Sequence, residues 1–106
     1  MNETTATPSP ERNGGRHIAR SAFFEAMRRE LDHAYEKHGA EPWGRHEFYA
    51  ILLEEMDEVW EAIKHDDPVV DVLAEVVQVA AMCLRYAETG DRYQGSHPRI
   101  PMRGET

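Results

Sequence analysis

Apolar residues recur at helical spacing in three segments of the chain. This periodicity predicts helices over residues 21–38, 43–65 and 68–89. Ser21 and Asp67 are the expected N-caps of the first and third helices, and Pro42 suits the first turn of the second. Gly39 and Gly90 are the expected stops after the first and third helices. Since no segment alternates apolar and polar residues with a period of two, the sequence predicts an all-α protein.

The helical pattern occupies the middle of a chain whose length, 106 residues, indicates one domain. Residues 1–17 are rich in Thr, Pro, Ser and Gly, and we expect them to form a disordered tail because they can bury little apolar area. Residues 18–90 form the predicted helical domain. Residues 91–106 lack helical and strand periodicity, which predicts an irregular C-terminal tail.

The charge of the chain excludes several classes of function. The sequence has 20 acidic and 12 basic residues, for a net charge of −8. Such a chain is a poor nucleic-acid binder, since phosphates repel it. No apolar run reaches the length of a membrane span, and residues 1–15 do not resemble a signal peptide. We therefore expect no membrane partner. Because a single cysteine, Cys83, cannot form an internal disulfide, we expect a cytoplasmic protein.

The second predicted helix has an apolar face and a dense acidic face. Helical spacing places Glu54, Asp57, Glu58 and Glu61 together, with Glu55 at the boundary between the two faces. Taken alone, this pattern is typical of a solvated face on an ordinary amphipathic helix.

The third predicted helix changes that interpretation. It is apolar nearly all round, which indicates burial on most sides, and Cys83 on its apolar arc is expected in the core. A narrow polar stripe on the same helix contains Asp71, Glu75, Gln78 and Arg85. If this stripe faces the acidic side of the second helix, carboxylates meet carboxylates and need cations between them. Mg²⁺ takes oxygen ligands and keeps waters for substrate phosphates.

Two motifs on these helices resemble those of a known family. Glu54-Glu55-Met56-Asp57-Glu58 has the form E-E-x-x-E, and after sixteen intervening residues Glu75-Val76-Val77-Gln78 resembles E-x-x-D. The pair is similar to the motifs of MazG-like all-α nucleoside triphosphate pyrophosphohydrolases, in particular small phage and actinobacterial members. The resemblance covers about residues 43–89 and implies a bundle based on a helical hairpin.

The resemblance also implies roles for particular residues. Glu55, Glu58, Glu75 and Gln78 would be ligands of Mg²⁺, for which Mn²⁺ is a possible substitute, and Glu54 would be an outer-sphere group or the base for the attacking water. With Glu54, the three glutamate ligands would form the catalytic set. Gln78 departs from the family's usual Asp and brings one negative charge fewer. The family's later motif with lysine and asparagine on a fourth helix is not evident.

The implied reaction is hydrolysis of a nucleoside triphosphate between its α and β phosphates, which gives a nucleoside monophosphate and pyrophosphate. Lys64 and Arg85 are candidates for phosphate contacts. Trp43 and His46 precede the first motif and are candidates for base contacts, although aromatic rings at helical spacing more often serve the core.

Two features leave alternatives open. Three helices cannot enclose the broad apolar surface of the third, so we expect a homodimer or homotetramer in which two chains complete four-helix bundles. If Gln78 weakens the metal site, the protein is instead a module that binds nucleotides or a protein partner. A third alternative is a small acidic interaction protein that mimics polyanions. Convergence of Glu55, Glu58 and Glu75 distinguishes the metal site from this last class.

Overall fold

The computed structural model describes residues 10–90 and 100–104, and the regular elements in them are three α-helices. Helix α1 spans Pro10–His38, α2 spans Arg45–Lys64 and α3 spans Val69–Thr89. Within these residues the structure has no β-strand, only an isolated bridge between Trp43 and Gly90. The prediction of an all-α protein is therefore confirmed.

Helix α1 begins well before the predicted start at Ser21. It starts at Pro10, a residue type favoured in the first helical turn, and it runs through Gly14 and Gly15. Residues 10–17, which the composition assigned to a disordered tail, are therefore helical. Residues 14–17 are exposed, so they bury little apolar area as expected, but they continue the helix of the following residues toward its start at Pro10. The remaining predicted tail residues at 1–9, 91–99 and 105–106 lie outside the described part of the chain.

Helix α2 begins at Arg45, two residues after the predicted start at Trp43. Gly44 is its N-cap, and the Gly44 carbonyl accepts a hydrogen bond from the Phe48 N–H at 2.9 Å. Pro42 therefore precedes the helix instead of lying in its first turn.

The connection between α2 and α3 is a short turn over residues 65–68. Asp66 has a φ of 56°, a left-handed conformation that Asp tolerates better than most residues. The Asp67 N–H donates to the Ala62 carbonyl at 3.0 Å. Pro68, not the predicted Asp67, is the N-cap of α3, and its carbonyl accepts from the Asp71 N–H at 2.9 Å.

Helices α2 and α3 form an antiparallel hairpin. The short turn favours this arrangement, and the bridge between Trp43 and Gly90 places the start of α2 beside the end of α3. Helix α3 also packs against α1, so it is the central helix of the fold. Ala81 on α3 is completely buried, and Leu31 on α1 is 2% exposed. Trp43 and Met82 complete this core cluster.

A buried arginine fastens the connection between α1 and α2 to α3. The Arg85 guanidinium lies 4.0 Å from the Trp43 ring centroid and 5.5 Å from that of Tyr35. Its Nη2 donates to the Glu41 carbonyl at 2.9 Å. The Tyr35 hydroxyl donates to Glu88 at 2.8 Å. Burial is the main cause, and this hydrogen bond the second, of the rise in the pKa of Tyr35 to about 12. These contacts hold the end of α1 against the end of α3.

Large apolar side chains remain uncovered on the hairpin. On α2, Tyr49, Leu53, Met56, Trp60 and Ile63 are exposed and recur at alternating intervals of four and three residues. We call these five residues the apolar stripe. On α3, Leu73 and Cys83 are exposed, so the prediction that Cys83 lies in the core is wrong for the single chain. Over the described residues, none of the helices combines the length and apolar character that crossing a bilayer requires.

Candidate metal centre

The hairpin brings together carboxylates from both of its helices. Glu55 and Glu58 lie three residues apart on α2, a spacing that puts them on neighbouring positions of one helix surface. Glu75 comes from the first half of α3, and the antiparallel packing places it opposite them. One carboxylate oxygen from each of the three residues lies within 4.8 Å of the others. Glu55, Glu58 and Glu75 are referred to below as the glutamate cluster.

The electrostatics of the glutamate cluster disfavour three free negative charges. Burial raises the pKa of Glu55, and the charges of Glu58, Glu75 and Glu54 raise it further. Burial also raises the pKa of Glu75, followed by its hydrogen bond with Glu58 and the charges of Glu58 and Asp71. In the absence of a cation, Glu55 and Glu75 therefore hold on to protons more strongly than isolated glutamates do.

The donor set of the cluster fits a hard divalent cation. Its ligands are all carboxylate oxygens, which Mg²⁺ prefers. The Oε1 atom of Glu55 is buried and has no hydrogen-bond partner. A buried acceptor without a donor is unfavourable, and a cation bound to that oxygen would remove the deficit.

A cavity of about 260 Å³ adjoins the glutamate cluster. It lies between α1 and the hairpin, and Glu55 belongs to both the cluster and the cavity wall. The charged and polar side chains of its wall are Glu30, His33, Lys37, His38, Glu55, Gln78 and Arg85.

Gln78 lies on the wall of the cavity beside Glu55. Its Nε2 donates to Glu30 Oε1 on α1 at 2.7 Å. The amide thus links α3 to α1 through its nitrogen. Its neutral oxygen is the group that the family resemblance implies as a metal ligand.

The other predicted site residues lie in different surroundings. Glu54 is exposed and is not one of the three residues of the cluster, although its charge acts on Glu55. Lys64 is paired with Glu61 at 2.9 Å and lies 5.8 Å from the Trp60 ring, away from the cavity wall. His46 is exposed.

Trp43, a predicted base contact, is 8% exposed and belongs to the core. Its ring is covered by the Arg85 guanidinium at 4.0 Å. The core role that aromatic residues at helical spacing usually have is therefore the one that Trp43 has in this fold.

Sequence reasoning missed the contribution of α1 to the cavity. Glu30, His33 and Lys37 recur at helical spacing and line one side of the cavity, together with His38. This spacing was visible in the sequence. The pattern could not show that this side of α1 turns toward the acidic residues of the hairpin.

Mg²⁺ is expected to raise the melting temperature, and to raise it more at about pH 7.5 than at about pH 5. The pKa values of Glu55 and Glu75 are higher in the folded protein than in the unfolded chain. Without metal, the two protonated carboxyls therefore stabilise the fold fully below the unfolded-state pKa, and this stabilisation is lost as the pH rises through the folded-state pKa. Mg²⁺ binds the deprotonated carboxylates and so restores stability at the higher pH. At about 100 times its Kd, a ligand stabilises by about 2.7 kcal/mol. The rise in melting temperature is measured by thermal unfolding in EDTA and in millimolar Mg²⁺. If Glu75→Gln showed the same rise as wild type, the expectation would be contradicted.

Gln78→Asp is expected to tighten Mg²⁺ binding by about tenfold, because affinity follows the number of ligand charges. The same change removes the donor to Glu30 and sets two carboxylates against each other, so the metal-free variant should melt at a lower temperature than wild type. Calorimetric titration of Mg²⁺ measures the affinity. Gln78→Asn is the neutral control, and unchanged affinity in Gln78→Asp would show that position 78 does not contribute to the metal site.

Comparison with known proteins finds no matching family model, no similar curated protein and no similar solved structure.

Proposed function

We propose that the protein is a Mg²⁺-dependent hydrolase that cleaves a nucleoside triphosphate between its α and β phosphates. The products are a nucleoside monophosphate and pyrophosphate. The observation that carries the proposal is the convergence of Glu55, Glu58 and Glu75 within 4.8 Å across the hairpin. The resemblance of the two motifs to those of MazG-like pyrophosphohydrolases supports the choice of reaction.

Different carboxylates would hold the metal and accept the proton. Glu55, Glu58 and Glu75 would hold Mg²⁺, with the Gln78 amide oxygen as a neutral fourth donor. When bound, Mg²⁺ neutralises phosphate charge and lowers the pKa of a coordinated water. Glu54, exposed next to Glu55, is the carboxylate that we assign to accept the proton of the attacking water.

The arrangement of charges explains why the activity should depend on metal. The α2–α3 hairpin presents three carboxylates to a substrate that is itself highly negative. Electrostatic repulsion therefore keeps a triphosphate away from the glutamate cluster unless cations lie between them. The convergence of these side chains also counts against an acidic interaction protein, which would present its carboxylates separately to solvent.

A second candidate function is a nucleotide-binding module without catalysis. It is favoured by Gln78, which supplies no charge to the cluster and whose amide nitrogen is already engaged by Glu30. This candidate predicts that nucleotides bind in a metal-dependent manner and are not cleaved.

The test is pyrophosphate release from a panel of ribo- and deoxyribonucleoside triphosphates, with Mg²⁺ and with EDTA. Release that requires Mg²⁺ supports the hydrolase and identifies its preferred base and sugar. Metal-dependent binding without release supports the module. Neither binding nor release from any triphosphate contradicts both candidates.

We also propose that the protein acts in the cytoplasm as a homodimer or homotetramer. The one cysteine, Cys83, is free and exposed, which suits a reducing compartment.

The apolar stripe of α2 has the alternating spacing of helices that pack against a second helix. The stripe extends over about 21 Å of helix. An exposed row of large apolar side chains of this length is typical of a surface that a partner covers. A second copy presents the same stripe and can cover it with two-fold symmetry.

A further inference from the structure

The side chain of Gln78 connects helix α1 to the part of α3 that carries Glu75. Gln78 comes three residues after Glu75, so the two positions are neighbours on the surface of α3. It lines the cavity together with Glu30 of α1 and Glu55 of α2. Its Nε2 donates to Glu30 Oε1 at 2.7 Å. A residue of α1 is therefore in direct contact with the one uncharged member of the proposed ligand set.

The chemistry of Glu30 decides which end of the Gln78 amide faces α1. An ionised carboxylate accepts hydrogen bonds and cannot donate them, so it attracts the amide nitrogen and repels the amide oxygen. The nitrogen and the oxygen are bonded to the same carbon and point in different directions. Holding the nitrogen against Glu30 therefore turns the oxygen away from α1.

The charge of Glu30 also accounts for a neutral residue at position 78. A carboxylate at this position would lie against the carboxylate of Glu30, and the two negative charges would repel each other. Glutamine replaces that repulsion by a hydrogen bond to a charged acceptor and still offers an oxygen to the metal site. Glu30 and Gln78 are thus a chemically matched pair across the α1–α3 interface.

Helix α1 can act on the glutamate cluster only through such a contact with α3. Among the described helices, α1 packs against α3 and not against α2, which carries Glu55 and Glu58. Residues of α1 are also absent from the group of carboxylates that converge. The hydrogen bond between Glu30 and Gln78 is therefore the route by which the docking of α1 reaches the metal site.

We propose that Glu30 is a positioning residue of this site. It acts through Gln78, whose amide it holds with the nitrogen toward α1 and the oxygen toward the glutamate cluster. The inference deepens the proposed function and rests on the Mg²⁺ site assigned there. Without the carboxylate of Glu30, the amide has two orientations, and only one of them presents the oxygen to the metal. The affinity for Mg²⁺ thus depends on a helix that supplies no ligand.

The test is calorimetric titration of Mg²⁺ into wild type, Glu30→Gln and Glu36→Gln. Glu30→Gln keeps the shape of the side chain, but its own amide can pair with Gln78 in either orientation. Loss of an outer partner of a ligand typically weakens metal binding by about 10–100-fold, and we expect about tenfold because Glu30 is exposed. Glu36 is exposed on α1 and absent from the cavity wall, so Glu36→Gln removes the same charge elsewhere. It should stay within about twofold of wild type.

The Gln78→Asp background separates positioning from simple attraction by a negative charge. Both oxygens of an aspartate can bind a cation, so the orientation of residue 78 no longer depends on Glu30. We therefore expect that Glu30→Gln weakens Mg²⁺ binding in wild type and does not weaken it in Gln78→Asp. Equal weakening in the two backgrounds would mean that Glu30 acts only through its charge, and it would overturn the proposal.

The NMR signal of the Gln78 side-chain carbonyl carbon reports the orientation directly. Mg²⁺ should shift this signal in wild type, and the shift should be smaller in Glu30→Gln at the same metal occupancy. Equal Mg²⁺ affinities of Glu30→Gln and wild type overturn the positioning role and leave the proposed hydrolase intact. Absence of Mg²⁺ binding to wild type contradicts the metal site itself, and the proposed function with it.

Discussion

Replacing Glu58 by glutamine is expected to reduce Mg²⁺-dependent pyrophosphate release by more than about 100-fold. Outer partners of metal ligands typically account for about 10–100-fold, and Glu58 is assigned as a direct ligand. The variant keeps nearly the same shape and an oxygen at the same position. It removes one charge from a cluster in which Glu58 contributes to the raised pKa of both Glu55 and Glu75.

Although Glu58→Gln should reduce activity, it should not reduce the stability of the metal-free protein. Without metal, Glu58→Gln relieves repulsion, so its melting temperature should equal or exceed that of wild type. With Mg²⁺, the rise in melting temperature should be largely lost. Asp57→Asn is the matched control, because Asp57 is the adjacent exposed carboxylate on α2 and does not belong to the glutamate cluster. Equal activity of Glu58→Gln and Asp57→Asn would show that the cluster does not hold the catalytic metal.

Leu53→Glu is expected to convert the proposed oligomer into monomers. Leu53 is 47% exposed in the single chain and lies within the apolar stripe, between Tyr49 and Met56. A glutamate there costs the folded monomer little, but in the oligomer it would be desolvated among apolar side chains. A central interface residue contributes about 2 kcal/mol or more, which corresponds to at least about 30-fold in the dissociation constant.

Sedimentation velocity over a range of concentrations measures this effect. Ala50→Glu is the matched control, because it places the same charge at an exposed position of α2 outside the stripe. We expect wild type and Ala50→Glu to sediment as oligomers and Leu53→Glu as a monomer. A monomeric wild type would show that no second copy covers the stripe, and an oligomeric Leu53→Glu would place the interface on another surface.

The part of the site that depends on local geometry could be predicted from the sequence. Glu55 and Glu58 share one surface of α2 because helical spacing is constant, and the same spacing puts Glu75 on the polar stripe of α3. The sequence left open whether this stripe faces the acidic side of α2, and the structure places one oxygen from each of the three residues within 4.8 Å of the others. The choice of metal and substrate came from the family resemblance and stays a prediction.

The parts that depend on docking could not be predicted in this way. The orientation of α1 decides which of its faces meets the hairpin, and no local pattern specifies that orientation. Lys37 was therefore missed. Cys83 was placed in the core because α3 is apolar nearly all round, whereas two neighbouring helices cover only part of its surface. The sequence favoured a core role for Trp43, but it could not predict the burial of Arg85 against the Trp43 ring, because that contact joins distant segments.

The short turn between α2 and α3 has a consequence for the order of folding. The three residues of the glutamate cluster flank the turn at residues 65–68, so Glu75 is separated from Glu58 by 17 residues and from Glu55 by 20. Contacts of low sequence separation form early because little loop entropy is lost in closing them. The cavity instead needs α1, whose contacts with α3 span more than forty residues, such as that between Glu30 and Gln78. The hairpin is therefore the part of the molecule in which a cation can promote folding, and the docking of α1 is the later step that completes the cavity.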